Sequence, residues 1–301
     1  MQVIHSCPLD DLAYGGNEFW RLTDVDMSRV SAIQLYQIER SLTERDRTIL
    51  STLRQLRYMK TNQFQRLFYP QVIAKPYAAA RATSRNLTRL YNLGLISHLP
   101  QRIGGVRAGS QGLIWHLTEL GVRLLDLGTE REGKRKSQLE PSPTFLRHTI
   151  AVAEVYVQIT EICRREASKR LDRLEVEPEC WRSYERKGKP ISLRPDLYAK
   201  IISGEYFDHL FIEVDLDTES VPIIVEKCRR YHEYYQTGQE QRAHGVFPLA
   251  LWIVPTEERR QKMMVALKEA FGSRYPHIFH VIIPYELHSV LRDGAPEEAM
   301  V

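Results

Sequence analysis

The sequence predicts an α/β chain of the α+β kind in two domains, and three observations lead to that class. Apolar residues recur at helical spacing in three segments between Thr43 and Leu93, and two short strand-like runs follow them. From Phe145 the pattern becomes helix, three strands, helix and strand. Charge divides at the same place: residues 43–140 hold 17 Lys and Arg against 7 Asp and Glu, while the whole chain is only +4, so the remainder is net acidic. A chain of 301 residues with 43% hydrophobic content can bury two ordinary cores. The expected division is an N-terminal extension over 1–42, a first domain over 43–127, a linker over 128–144, a second domain over 145–290 and a tail over 291–301.

Composition narrows the class further. No apolar run approaches a membrane span, and the N-terminus lacks a basic region followed by an apolar stretch, so no membrane segment or signal peptide is expected and a cytoplasmic location is. Cys7, Cys163, Cys180 and Cys228 are scattered without a CxxC pair, which argues against a zinc knuckle or a disulfide framework and for reduced structural thiols.

In chain order, residues Met1–Ser41 are broken by Gly15-Gly16 and carry no assigned function, with a short helix expected over Val30–Ile38. Thr43-Glu44-Arg45-Asp46 matches a capping box, and Ile49, Leu50, Leu53 and Leu56 follow at helical spacing, so a helix starts there. A second helix fits Thr61–Phe68, with Phe64, Leu67 and Phe68 as its apolar face. The third spans about Tyr77–Leu93. There Ala80, Leu87, Leu90 and Tyr91 can face a core, while Arg81, Arg85 and Arg89 recur every four residues on another side, with Ser84 and Thr88 between them. That face is cationic and rich in hydrogen-bond donors, although arginines that only solubilise an exposed helix would look the same. Gly94 ends the helix, and Leu95–Leu99 and Leu113–Leu117 read as strands joined by a Gly-rich loop carrying Arg102 and Arg107.

Three helices followed by a two-stranded basic hairpin resemble the winged helix-turn-helix. The string Leu117-Thr118-Glu119-Leu120-Gly121-Val122-Arg123-Leu124-Leu125, a closing helix with a Thr cap, strengthens the resemblance. What it implies is that Arg81, Ser84, Arg85, Thr88 and Arg89 enter the major groove of double-stranded DNA, and that Arg102 and Arg107 meet the backbone or minor groove from the wing. Such proteins often read two half-sites, so a homodimer is a further expectation, although no heptad seam supports it.

Gly128–Pro143, with Gly133-Lys134-Arg135-Lys136-Ser137 and Pro141-Ser142-Pro143, has the polar, basic, proline-bounded composition of a linker. Beyond it the pattern predicts a long amphipathic helix over Phe145–Ser168. Strands follow over Leu174–Glu177, to Ile202 and to Asp215, then helix Val221–Gln236, strand Phe247–Val254, helix Glu257–Phe271 and strand His277–Ile283.

Chemistry concentrates at Arg194-Pro195-Asp196 and Phe211-Ile212-Glu213-Val214-Asp215. The strand period of two places Glu213 and Asp215 on one face, with Ile212 and Val214 on the other. Asp196 ends the run from Ile191, and a turn through Ser203-Gly204-Glu205 would bring it beside Glu213. Carboxylate oxygens are hard ligands for Mg²⁺ or Mn²⁺, and a metal so held polarises a phosphate and generates hydroxide near neutral pH. The predicted metal ligands are Asp196, Glu213 and Asp215, and the predicted chemistry is phosphodiester hydrolysis. Any one of these acids alone reads as a solvated strand end.

The element order and the Asp196–Glu213 pairing resemble the restriction-endonuclease-like αβββαβ fold, whose motif is written PD-(D/E)xK. From about Leu42 to Pro284 the chain resembles the replication-relaxation proteins of plasmids and integrative elements. The residues behind this are Leu117–Leu125, the helix with His148 and Glu154, Arg194-Pro195-Asp196, and Glu213-Val214-Asp215-Leu216-Asp217-Thr218-Glu219 followed by Lys227 and Tyr231. The resemblance implies a sequence-specific DNA-binding protein of a mobile element and a metal-dependent DNA nickase or endonuclease acting in replication, relaxation or transfer.

One position departs from the motif: Asp215 occupies the slot of the lysine that steadies the attacking water or the phosphorane charge. Lys227 on the following helix is the candidate replacement, and Tyr231, one turn on, a candidate phosphate ligand or covalent nucleophile. An exposed Lys–Tyr pair is the competing reading. Glu154 is a candidate further ligand, against a buried acid paired with His148 or an arginine. Two other classes stay open, a non-catalytic DNA-binding initiator and a transcription regulator with a ligand-sensing second domain.

Overall fold

A computed structural model describes residues 30–70, 76–99, 112–128, 141–272 and 277–294. Arg102 and Arg107, most of the expected linker and the end of the expected tail lie outside these residues.

The first part begins with α1 (Ala32–Ser41) and α2 (Glu44–Leu56), each opening on a capping box. Thr43 Oγ1 accepts from the Asp46 N–H at 3.2 Å, and Asp46 accepts from the Thr43 N–H at 2.7 Å. Then come β1 (Met59–Lys60), α3 (Thr61–Phe68), α4 (Pro76–Asn92), β2 (Ile96–His98), β3 (Ile114–Leu117) and α5 (Glu119–Leu125). The two expected strands pair antiparallel with Ile96 opposite Leu117, and β1 adds to the other side of β3. Two residues are too few to show a period, which hid β1 in the sequence. The inward stripe of α4 is Ala79, Thr83, Leu87 and Leu90, not the expected set with Ala80 and Tyr91. Tyr91 is exposed and stacks on His98 of β2.

The Leu-Thr-x-x-Gly string has a steric basis. Thr118 caps α5 by accepting from the Gly121 N–H at 3.1 Å and donates to the Gly94 carbonyl at 2.5 Å. Gly121 rests on the Leu95 carbonyl, where any Cβ would collide. The end of the expected extension belongs to this unit: Val30, Leu35 and Leu42 are buried in its core, and Arg123 donates to the Val30 carbonyl at 2.8 Å.

The second part comprises α6 (Pro143–Arg165), β4 (Lys169–Val176), β5 (Arg182–Arg186), β6 (Lys189–Leu193), β7 (Leu197–Ser203), β8 (Tyr206–Val214), α7 (Val221–Thr237), α8 (Gln239–His244), β9 (Leu249–Ile253), α9 (Glu257–Phe271), β10 (Phe279–Ile282) and α10 (Leu287–Asp293). Its five-stranded sheet has the order β10-β9-β8-β7-β4; β4, β7 and β8 are antiparallel neighbours, whereas β8, β9 and β10 run parallel. Ile191–Leu193 was expected to run on to Asp196, but it closes a separate two-stranded ribbon with β5 instead. Pro195 explains the break, because it has no N–H for a ladder.

Alternation sorts the sheet's two faces. Ile201, Leu210, Ile212 and Val214 pack with Val152, Val155 and Ile159 of α6, while Tyr198, Phe211, Trp252 and Phe279 pack with Ile224, Tyr231 and Met263 of α7 and α9. The cluster under α6 continues without a break into Leu50, Phe64 and Leu67, so the two parts share one apolar core. Among the described residues, no helix is long and apolar enough to cross a membrane.

Candidate functional site

Leu197 of β7 lies opposite Ile212 of β8, which sets Asp196, the residue before β7, beside Glu213 near the end of β8. Asp196 Oδ2 accepts the Val214 N–H at 2.8 Å, and its Oδ1 lies 3.0 Å from His148 Nε2 on α6. Glu213 is 1% exposed and points at α7. There Lys227 Nζ is 2.5 Å from Oε2, and the Tyr231 hydroxyl donates to Oε1 at 2.5 Å. Lys227 and Tyr231 are four residues apart on α7, so one helix face delivers both to one carboxylate. A cavity of about 90 Å³ lies among these groups, with His148, Asp196, Glu213, Thr218, Glu219 and Lys227 in its wall.

The two acids titrate in opposite directions. Burial pushes Glu213 up, Lys227 opposes the rise, Asp196 adds to it as a second negative charge, and the carboxyl titrates at about 7. Burial also works against ionised Asp196, but the His148 bond, the charge of Lys227 and the Val214 N–H hold it below the usual carboxylate range. His148 is raised in turn by its bond to Asp196, against burial. Burial favours neutral Lys227, yet the charges of Glu213 and Asp196 outweigh it and keep the ammonium. One acid poised near neutrality beside one firmly ionised is the division of labour that acid–base chemistry uses.

Several expectations need correction. Asp215 borders the same cavity, but its carboxylate is engaged elsewhere: its Oδ2 takes Arg259 Nε at 2.6 Å and its Oδ1 the Asp217 N–H at 3.0 Å. The chain leaves β8 at Val214 and turns through Asp217 at φ 59°, which carries Asp215 towards α9. Arg259, itself buried, also pairs with Asp217 at 2.8 Å. Among the described residues, no group of three or more His, Cys, Asp or Glu side chains is arranged to hold a metal. Asp196 and Glu213 carry the hard oxygen donors that Mg²⁺ takes, but those oxygens already meet His148, the Val214 N–H, Lys227 and Tyr231. Glu154 faces α3, where Arg66 lies 2.5 Å from Oε1 and Gln63 3.1 Å from Oε2; it is the arginine-paired acid, not a ligand. Tyr231 is buried with its hydroxyl held by Glu213, and burial and the Glu213 charge raise its phenol well above its ordinary value. The exposed Lys–Tyr pair is excluded by the same contacts.

On α4 the side chains of Arg81, Ser84, Arg85 and Thr88 are exposed together. Arg89 is not free with them. It pairs with Asp46 of α2, which is fully buried and also receives Asn86 Nδ2 at 2.7 Å, so Arg89 ties α4 to α2. Sequence reasoning missed His148 and Arg259 as partners of Asp196 and Asp215. His148 sits six residues before Glu154 on α6, a visible signal on the right helix, whereas nothing local to Arg259 points to Asp215.

The fold and site define a mixed α/β protein with a basic helical part and a sheet whose strand ends gather two buried acids and a lysine. A family model described as replication-relaxation matches residues 50–250, and the chain belongs to that family. Membership points to a role in plasmid or mobile-element replication or relaxation. The match spans both parts and includes Asp196, Glu213 and Lys227. No curated protein and no solved structure matches the chain.

Proposed function

We propose that the chain is a DNA-binding protein of mobile-element replication or relaxation, with a winged-helix first domain and a restriction-endonuclease-like second domain that nicks or cuts DNA. The observation that carries this reading is Lys227 Nζ at 2.5 Å from Glu213 and beside Asp196. Although Asp215 occupies the motif's lysine slot, α7 supplies a cation beside Glu213. Asp196 and Glu213 would hold a Mg²⁺ or Mn²⁺ ion, which when bound would supply Lewis-acid polarisation of a phosphate. The chain's own groups do the rest. Lys227 faces the developing negative charge on the phosphorus oxygens. Tyr231 fixes the orientation of Glu213, and His148 and the Val214 N–H fix that of Asp196. Arg81, Ser84, Arg85 and Thr88 on α4 meet the duplex and select the site.

Purified protein with Mn²⁺ is expected to convert supercoiled plasmid bearing its own origin to open circles or linear DNA. A second reading, a non-catalytic initiator, is favoured by one feature: both oxygens of Glu213 are already bonded within the chain and its pKa is about 7. DNA left intact at every protein ratio, while salt-sensitive binding to that DNA persists, would leave the second reading standing and remove the first.

A further inference from the structure

The β5–β6 ribbon stands off the five-stranded sheet as a sheet of its own, and between it and α7 runs a groove of about 540 Å³. Its charged walls are Arg194, Lys227 and Arg230 on one side of the balance and Glu219 and Glu226 on the other, with exposed Ile223 among them. Glu219 and Lys227 also line the carboxylate cavity, so groove and cavity share a wall. Most arginines of this part are paired: Arg182 with Glu175 and Glu240, Arg186 with Glu233, Arg229 with Glu226, Arg259 with Asp215. Among the described residues Arg194 and Arg230 have no carboxylate partner, nor do Lys187 and Lys189 at the ribbon tip. Arg194 is nonetheless positioned, because its guanidinium lies 4.5 Å from the Trp181 ring centroid. Two arginines without a carboxylate partner, on a groove that shares a wall with a recess, suit a polyanion.

We infer that this groove seats one strand of DNA, with Arg194 and Arg230 on its phosphates, and leads it to Asp196 and Glu213. The inference rests on the nuclease reading of that cavity and names the form in which substrate enters. The acids it leads to are deeply set, with side chains 13% and 1% exposed, behind the wall that groove and cavity share. A flexible single strand can follow a groove and bend into a recess, where a stiff duplex has to be opened or distorted first. The groove's volume falls in the range of about 300–1,000 Å³ typical of small-ligand pockets, which admits a strand and excludes a duplex. Exposed Ile223 adds an apolar patch beside the cations.

The test uses the full chain without added metal, so that binding is read apart from cleavage. Fluorescence anisotropy follows a labelled single-stranded oligonucleotide and a labelled duplex, for wild type and for Arg194→Ala/Arg230→Ala. The expected result is a loss of single-strand affinity of about tenfold or more, with duplex affinity kept by α4. The salt slope for the single strand should fall by about 1.4, since each phosphate contact on single strands contributes roughly 0.7. A bromodeoxyuridine oligonucleotide should crosslink to wild-type peptides from residues 181–194 or 219–230. Unchanged single-strand affinity, or equal losses for strand and duplex, overturns the inference. If strand binding is lost in the variant while wild type never cuts DNA, the groove stands and the catalytic reading falls.

Discussion

Asp46 in the helical part and Glu213 in the sheet part are both buried acids paired with a cation, yet the protein treats them oppositely. Asp46 is 0% exposed, and although burial pushes its pKa up, bonds from Thr43, Asn86 and Arg89 more than offset this and hold it low. Among the described residues, the groups that set its titration include no second acid. Glu213 is as deeply buried and has Lys227 and Tyr231, but Asp196 is its neighbour and its carboxyl titrates at about 7. A buried acid whose bonds all favour its charged form ties helices together. One set against another acid is held in tension, which a bound cation relieves.

The largest effect expected from breaking this comparison is on the structural side. Asp46→Ala leaves Arg89 unpaired and removes the reciprocal half of the α2 capping box, and should cost about 3–5 kcal/mol in chemical denaturation. A loss below about 1 kcal/mol would mean that Asp46 is no tie. On the functional side, Lys227→Met should lower plasmid nicking by roughly 10²–10³-fold, as loss of one charge-stabilising donor does, with the far-ultraviolet circular dichroism unchanged. Nicking at the wild-type rate in that variant removes Lys227 from the chemistry.

The third prediction turns on the sign of the Glu213 shift. Its folded pKa is raised, so between about 4.5 and about 7 the folded chain holds a proton that the unfolded chain has lost, and stability declines as pH rises through that window. Glu213→Gln keeps the neutral shape and should remove that part of the decline, leaving the variant more stable than wild type at pH 8 by roughly 2–3 kcal/mol, as read by calorimetry. Lower stability than wild type at pH 8 would show that the Lys227 pair outweighs burial. The smallest effect is expected at His148, whose folded pKa is raised by Asp196. Its contribution is complete below the unfolded histidine value and fades as pH rises through the folded one, so His148→Ala should destabilise more at pH 5.5 than at pH 8.5. Equal loss at both would separate His148 from Asp196.

What the sequence determined by itself is what neighbours along the chain decide. The capping box at Thr43, the Thr118 cap, the apolar face of α2 and the alternation through Phe211–Val214 were legible, because caps and periods depend on residues a few positions apart. The approach of Asp196 to Glu213 was legible too, since a hairpin register is set by one turn. The tertiary structure decided which side chains meet across elements. It gave Arg89 to Asp46, Glu154 to Arg66, Asp215 to Arg259 and Asp196 to His148, and it brought Lys227 to Glu213. A buried charge must find its partner wherever packing places one, and that partner lies 14 to 88 residues away in these pairs, a distance over which no local pattern carries information.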